Sequence, residues 1–281
     1  MNEASFFMEV MIRWESLDGI ARSEPFSAIV GLLKMMRNRH RGAPTLAPGR
    51  RAWHQGLGEQ EGRWKMDNEA VSAARPVQLV MQRAYLRSAE FIEQHVANAL
   101  LFRRKVHLHN HVASLIPAEG LAIECGVFKG RSINHMAKLH PDRTFHGFDS
   151  FEGLSENWSG NHHSAGHFDL KGDLPQVEPN VKLVKGWIDD TFGPFLKKTK
   201  GSIAYLHVDT DTYSPAKTIL TLAKPRLAPG SIVLFDELFG YPGWEHHEYK
   251  ALQETLSEDC YEFVAFSQME AAIRITRAPG S

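Results

Sequence analysis

From Leu121 onward the chain alternates short apolar runs with longer amphipathic ones. "LAIEC" (121–125), "TFHGFD" (144–149), "VKLV" (181–184), "IAYLHV" (203–208) and "SIVLFD" (231–236) are short and rich in β-branched or aromatic residues, which predicts strands. Between them, "SINHMAKLH", "DTFGPFLKKT" and "SPAKTILTLAKPRL" carry helical spacing, as does "HHEYKALQETLSE" after the last. Such alternation predicts parallel βαβ units and an α/β, doubly wound sheet with helices on both faces. Upstream, from about Asp67 to Leu115, apolar residues recur every three or four positions, predicting helix until Pro117 and Gly120 stop it. The tail "YEFVAFSQMEAAIRI" breaks the rhythm and predicts an antiparallel hairpin at one edge of the sheet.

Residues 1–66 read differently. "PFSAIVGLLKMMRNRHRG" starts as an amphipathic helix and ends in Lys34, Arg37, Arg39 and Arg41; a Gly- and Pro-rich linker follows. The basic run reads as a solvated helix end before it reads as a contact for a phosphate-bearing partner. The expected organisation is a partly flexible extension, 1–66, then one domain, 67–281, whose first part, 67–116, is helical.

Charge narrows the function classes. With 32 basic against 33 acidic residues, the chain has no overall field for a nucleic-acid backbone. No apolar run is long enough to span a bilayer. Two cysteines, Cys125 and Cys260, make no disulfide framework, so a cytoplasmic protein is expected.

The candidate chemistry lies at the strand ends. In a doubly wound sheet, ligands bind beyond the carboxyl ends of the strands, near the point where strand order reverses. Glu124, Asp149, Asp209 and Asp236 close four of the five predicted strands, and Asp189 and Asp190 follow the remaining one. Any one of these could simply cap a helix; acids converging from four strands repel one another unless something bound offsets them. "ECGVFKGRS" places two glycines before a helix start, and Asp149 ends the next strand, where an acid can accept both hydroxyls of a ribose. Together they read as an adenosine-type nucleoside site, with Trp187 or Ile188 against the base. Asp209, Asp236 and Glu237 offer three hard oxygen ligands suited to Mg²⁺. The alternative is that Asp209 and Asp211 cap a helix while Asp236 and Glu237 pair with basic residues. The segments 155–170 and 238–248, which carry "NHHSAGH" and His246–His247, read as lids over the strand ends.

The motifs "IECGVFKGRSI", "FHGFDSFEGL", "FDLKGDLPQVEPNVKLVKGWIDDTF", "HVDTDTYSPAKTIL" and "LAPGSIVLFDE" resemble the macrocin O-methyltransferase (TylF-type) group of class I S-adenosylmethionine-dependent methyltransferases. The resemblance runs from about Arg83 to Ile275. It implies a Rossmann-like, seven-stranded sheet with an antiparallel last strand and O-methylation of a sugar or another small hydroxylated acceptor. It implies S-adenosylmethionine as cofactor, with Glu124, Gly126, Phe128 and Ser132 around its methionine part. Asp149 would hold the ribose, Ser150 and Phe151 the adenine side, and Ile188 and Asp189 the adenine. It also implies Mg²⁺ on Asp209, Asp236 and Glu237, although the family's last two ligands are usually Asp-Asp. Where related catechol-type enzymes carry a lysine, this chain has Thr212. Asp209 is then the expected general base, ahead of His207, His246 and His247. Rival readings are a metal-free methyltransferase, a nucleotide-dependent oxidoreductase and a scaffold without catalysis. The helix from about Val77 offers a face for a homo-oligomer.

Overall fold

A computed structural model describes residues 75–279; the predicted extension 1–66 lies outside them. Helices α1 (Pro76–Glu93) and α2 (Lys105–Leu115) flank a two-residue strand, β1 (Leu100–Leu101). Then follow β2 (Leu121–Cys125), α3 (Arg131–Leu139), β3 (Phe145–Asp149), β4 (Val181–Lys185), α4 (Ile188–Lys198), β5 (Ile203–Val208) and α5 (Tyr213–Ala223). The chain closes with β6 (Leu227–Phe235), α6 (Glu248–Thr255), β7 (Tyr261–Phe266) and β8 (Ala271–Ile275). All eight strands form one sheet in the order β1-β7-β8-β6-β5-β2-β3-β4. The α/β doubly wound fold expected from the sequence is the fold observed.

Two expectations are corrected in detail. The helical pattern over the described part of 67–115 is broken at 94–104. There β1 pairs parallel with β7, and the Phe102 N–H donates to the Phe266 carbonyl at 2.8 Å. Backbone groups left open along β7 compete with helix formation, so a tertiary pairing overrides the local periodicity. The hairpin, for its part, is not an edge feature. β8 lies between β7 and β6 and runs antiparallel to both, while β1 is the outermost strand on that side.

Period-two side-chain direction sorts the strand residues onto two cores. Ile123 and Cys125 of β2, with Val208 of β5, pack with Ile188 and Phe192 of α4 and Ile219 of α5. Ala122 and Tyr205 face the other way, against Leu108 and Val112 of α2 and Ile133 and Met136 of α3. Strand order reverses between β2 and β5, because β3 and β4 extend one way from β2 and β5 and β6 the other. At that crevice the Asp209 N–H donates to the Cys125 carbonyl at 2.8 Å. A Cβ on Gly126 would lie 1.6 Å from the Asp209 carbonyl oxygen, and its φ of +90° is itself a glycine conformation.

Candidate active site

A cavity of about 550 Å³ opens at this switch point. The turn after β2 contributes Gly126 and Phe128, the end of β3 contributes Asp149 and Ser150, and the start of α4 contributes Trp187, Ile188 and Asp189. Asp209 and Asp211 after β5, and Asp236 and Glu237 after β6, line the opposite side of the switch point. The lid segment closes it with Leu154, Trp158, His162, His163 and Phe168. That segment folds on itself: the Leu154 N–H donates to the His167 carbonyl, and the Gly166 N–H to the Leu154 carbonyl, both at 2.9 Å.

Of the residues expected around a cofactor, Glu124, Ser132 and Phe151 do not line the cavity. The reason is parity along the strand. Glu124 shares the Ala122 face of β2 and is fully buried, accepting from Ser132 Oγ at 2.8 Å and meeting His207 Nδ1 at 2.9 Å. Phe151 packs into the core beside α2 and α3. Asp149 does line the cavity, but its two oxygens already accept three backbone N–H groups. These come from Val127 and Phe128 at 2.8 Å each and from Phe151 at 2.7 Å. The acid read as a ribose acceptor therefore also fixes the glycine turn. Of the other aromatics, Tyr241 and Trp244 are core residues.

Asp209, Asp236 and Glu237 bring one oxygen each within 4.8 Å of one another. Burial, and then the Asp236 charge, raise Asp209 well above the ordinary carboxylate value. Glu237 is raised well above its ordinary value by the same two causes, and Asp211 is pushed up to about 7. Asp236 goes the other way. Burial pushes it up, but the hydrogen bond and charge of His207 and the charge of Lys105 outweigh that and hold it low. Glu237 Oε2 is buried with no hydrogen-bond partner, an orphaned acceptor beside two further carboxylates. Three hard oxygens from one buried and two half-buried carboxylates, one oxygen beside them unpartnered, fit a divalent cation.

Of the residues behind this cluster, the sequence pattern points only to His207, as a weaker candidate base. Lys105, at the start of α2, pairs with Asp236 and lies 3.4 Å from Glu270, which bonds His109 at 2.8 Å. His207 is fully buried and bridges Glu124 to Asp236, at 2.9 and 3.2 Å. Burial lowers its proton affinity, yet those two bonds win and its pKa is raised well above 6.5. Thus a lysine does reach the acids, from a helix about a hundred residues upstream of Thr212. Glu248 of α6 is fully buried beside Asp211 and is pushed up to about 8. Nothing local marks Lys105, His109, Glu248 or Glu270, since each is brought to the cluster by the tertiary fold. His246 and His247 line a different cavity, so the imidazoles that line the main one are His162 and His163.

Residues 123–238 match the family profile described as "Methyltransferase domain". A curated relative, mycinamicin III 3''-O-methyltransferase from Micromonospora griseorubida, is 25% identical over 171 residues, covering 50% of this chain and 65% of the relative. The match thus spans less than two thirds of that relative's length. The crystal structure of the calicheamicin methyltransferase CalS11 superposes with a TM-score of 0.52 at 22% identity, covering 83% of this chain and 98% of that one. Strand order and the glycine turn at the switch point place the cavity inside the stretch, residues 123–238, that matches the methyltransferase domain.

Proposed function

We propose that the protein is an S-adenosylmethionine-dependent O-methyltransferase acting on a hydroxyl of a sugar or similar small acceptor, assisted by a divalent cation. One observation carries the reading. A single cavity joins the glycine turn and the Trp187–Ile188 edge to the Asp209–Asp236–Glu237 cluster across the strand-order reversal. The curated relative's name, an O-methyltransferase of mycinamicin III, supports transfer to oxygen.

When bound, S-adenosylmethionine supplies an electrophilic methyl group on sulfur. Gly126, Phe128, Ser150, Ile188 and Asp189 form its walls, and Asp149 holds the turn that shapes them. Asp209, Asp236 and Glu237 would hold Mg²⁺, which supplies charge to orient neighbouring hydroxyls and acidify one of them. Transfer would need the acceptor oxygen in line with the methyl carbon and the sulfur, an alignment that the cofactor walls and the acid cluster on the opposite side of the cavity would set. The hydroxyl proton would leave to Asp209, which lines the cavity beside Asp236 and Glu237. Alignment is the rest of the catalysis, and the lid residues Trp158 and Phe168 exclude water from it.

Asp209→Asn is expected to abolish turnover and leave the affinity for S-adenosylhomocysteine within about threefold, since the cofactor walls are untouched. Calorimetry with and without Mg²⁺, beside a methyl-transfer assay, reads both. Parallel loss of binding and turnover refutes the role given to Asp209.

A further inference from the structure

A second cavity, of about 350 Å³, lies on the other side of the lid segment. Glu156, Asn157, Ser159, Tyr213, His246 and His247 line it. The two cavities share the same strap of chain. Ser155, Trp158 and Asn161 face the large one, while Glu156, Asn157 and Ser159 face the small one. At the start of α5, Tyr213 lines the small cavity and the next residue, Ser214, the large one. The strap is fixed there: Glu156 accepts from the Ser214 N–H at 3.2 Å, His247 Nε2 meets the Ser159 carbonyl at 2.9 Å, and Gly160 approaches Pro242 too closely for a Cβ.

The charge pattern selects among occupants. Among the described residues, no lysine or arginine lines either cavity, while the large one has six carboxylates and the small one has Glu156. Three lysines lie beside lining residues, Lys129 at 5.0 Å over the Phe128 ring among them. Lys105 pairs with Asp236, and Lys250 lies 4.4 Å over the Tyr213 ring, facing Glu254. Burial, as the largest cause, keeps His247 below its ordinary pKa and thus uncharged near neutrality. Phosphate recognition wants arginine or lysine forks, and neither cavity offers one. Neutral hydroxyls suit this lining instead: Asn157 donates its amide N–H to no described residue, and Ser159, His246 and the Tyr213 ring add polar and stacking contacts. The volume stands at the low end for a small-molecule site, the size for one ring-sized unit.

We propose that this second cavity binds the remote, non-reacting unit of the methyl acceptor, and that this unit is a neutral or amine-bearing sugar rather than a phosphorylated one. The inference rests on the methyltransferase reading for the word acceptor, and its test separates the two. Protein saturated with S-adenosylhomocysteine is offered methyl β-D-glucopyranoside, its 2-amino analogue and glucose 1-phosphate, with contact read by saturation-transfer NMR. Both methyl glycosides are expected to receive saturation and the phosphate none. Asn157→Ala, and His246→Ala at an exposed side chain, are expected to weaken both glycosides by about fivefold or more, with S-adenosylhomocysteine affinity unchanged. Glu156→Gln is expected to weaken the amino glycoside selectively. Equal contact by glucose 1-phosphate, or glycoside signals that neither Asn157→Ala nor His246→Ala changes, would overturn the proposal. S-adenosylhomocysteine binding with no glycoside contact overturns this inference alone. Failure of S-adenosylhomocysteine to bind overturns the methyltransferase reading, and this one with it.

Discussion

Glu248 makes the cost of the acid cluster measurable. It is fully buried, and its oxygens accept only two long bonds, 3.4 Å each, from the N–H groups of Thr210 and Glu237. Burial first, then the charges of Asp211 and Asp236, push its pKa from 4.5 to about 8. The folded protein therefore holds this proton to a higher pH than the unfolded chain does. The stabilisation is complete below about pH 4.5 and is lost as the pH rises toward 8. Within that window the slope reaches about 1.4 kcal/mol per pH unit, so raising the pH from about 5.5 to 7.5 removes about 2–3 kcal/mol. For a domain of this size that is a fall of roughly 5–10 °C in Tm. Glu248→Gln keeps an acceptor for one of the two N–H groups, which reach different oxygens, and cannot ionise, so whatever its Tm at low pH, that Tm should fall less over the same range by that amount. Thermal melts of both proteins in EDTA across the pH series provide the comparison. Parallel curves would refute the reasoning, because the charge on Glu248 would then contribute nothing to the folded state.

The remaining predictions concern close approaches and pairing. Gly126→Ala puts a Cβ 1.6 Å from the Asp209 carbonyl at a φ of +90°; it is expected to cost about 3 kcal/mol or more and to abolish binding of S-adenosylhomocysteine by calorimetry. Gly160→Ala, with its Cβ 1.7 Å from the Pro242 carbonyl, loosens the lid from its neighbour. Steady-state assays should show a raised acceptor KM, with cofactor affinity retained. Lys105→Met removes the ammonium from Asp236, leaving a nearly buried carboxylate with one partner fewer, and a loss of about 2 kcal/mol in urea titrations is expected. Saturating Mg²⁺ should recover most of that loss if the same carboxylate is a cation ligand.

The sequence alone determined the alternation of strand and helix, the hairpin in the tail and the acids at the carboxyl ends of the strands. These are local signals: a two-residue period, a helical period and a carboxylate at the end of an apolar run each lie within one short segment. Asp209, Asp236 and Glu237 were legible in this way, as was the glycine turn at Gly126. Tertiary structure decided what no segment contains. It placed β8 inside the sheet, diverted 94–104 from helix to a strand on β7, and turned Glu124 away from the cavity toward Ser132 and His207. It also brought Lys105 and Glu248, from helices far apart in the chain, to one acid cluster. The physical reason is that the burial and charge around a group depend on which elements the sheet brings together, and strand order is set by long-range pairing rather than by any local run of residues.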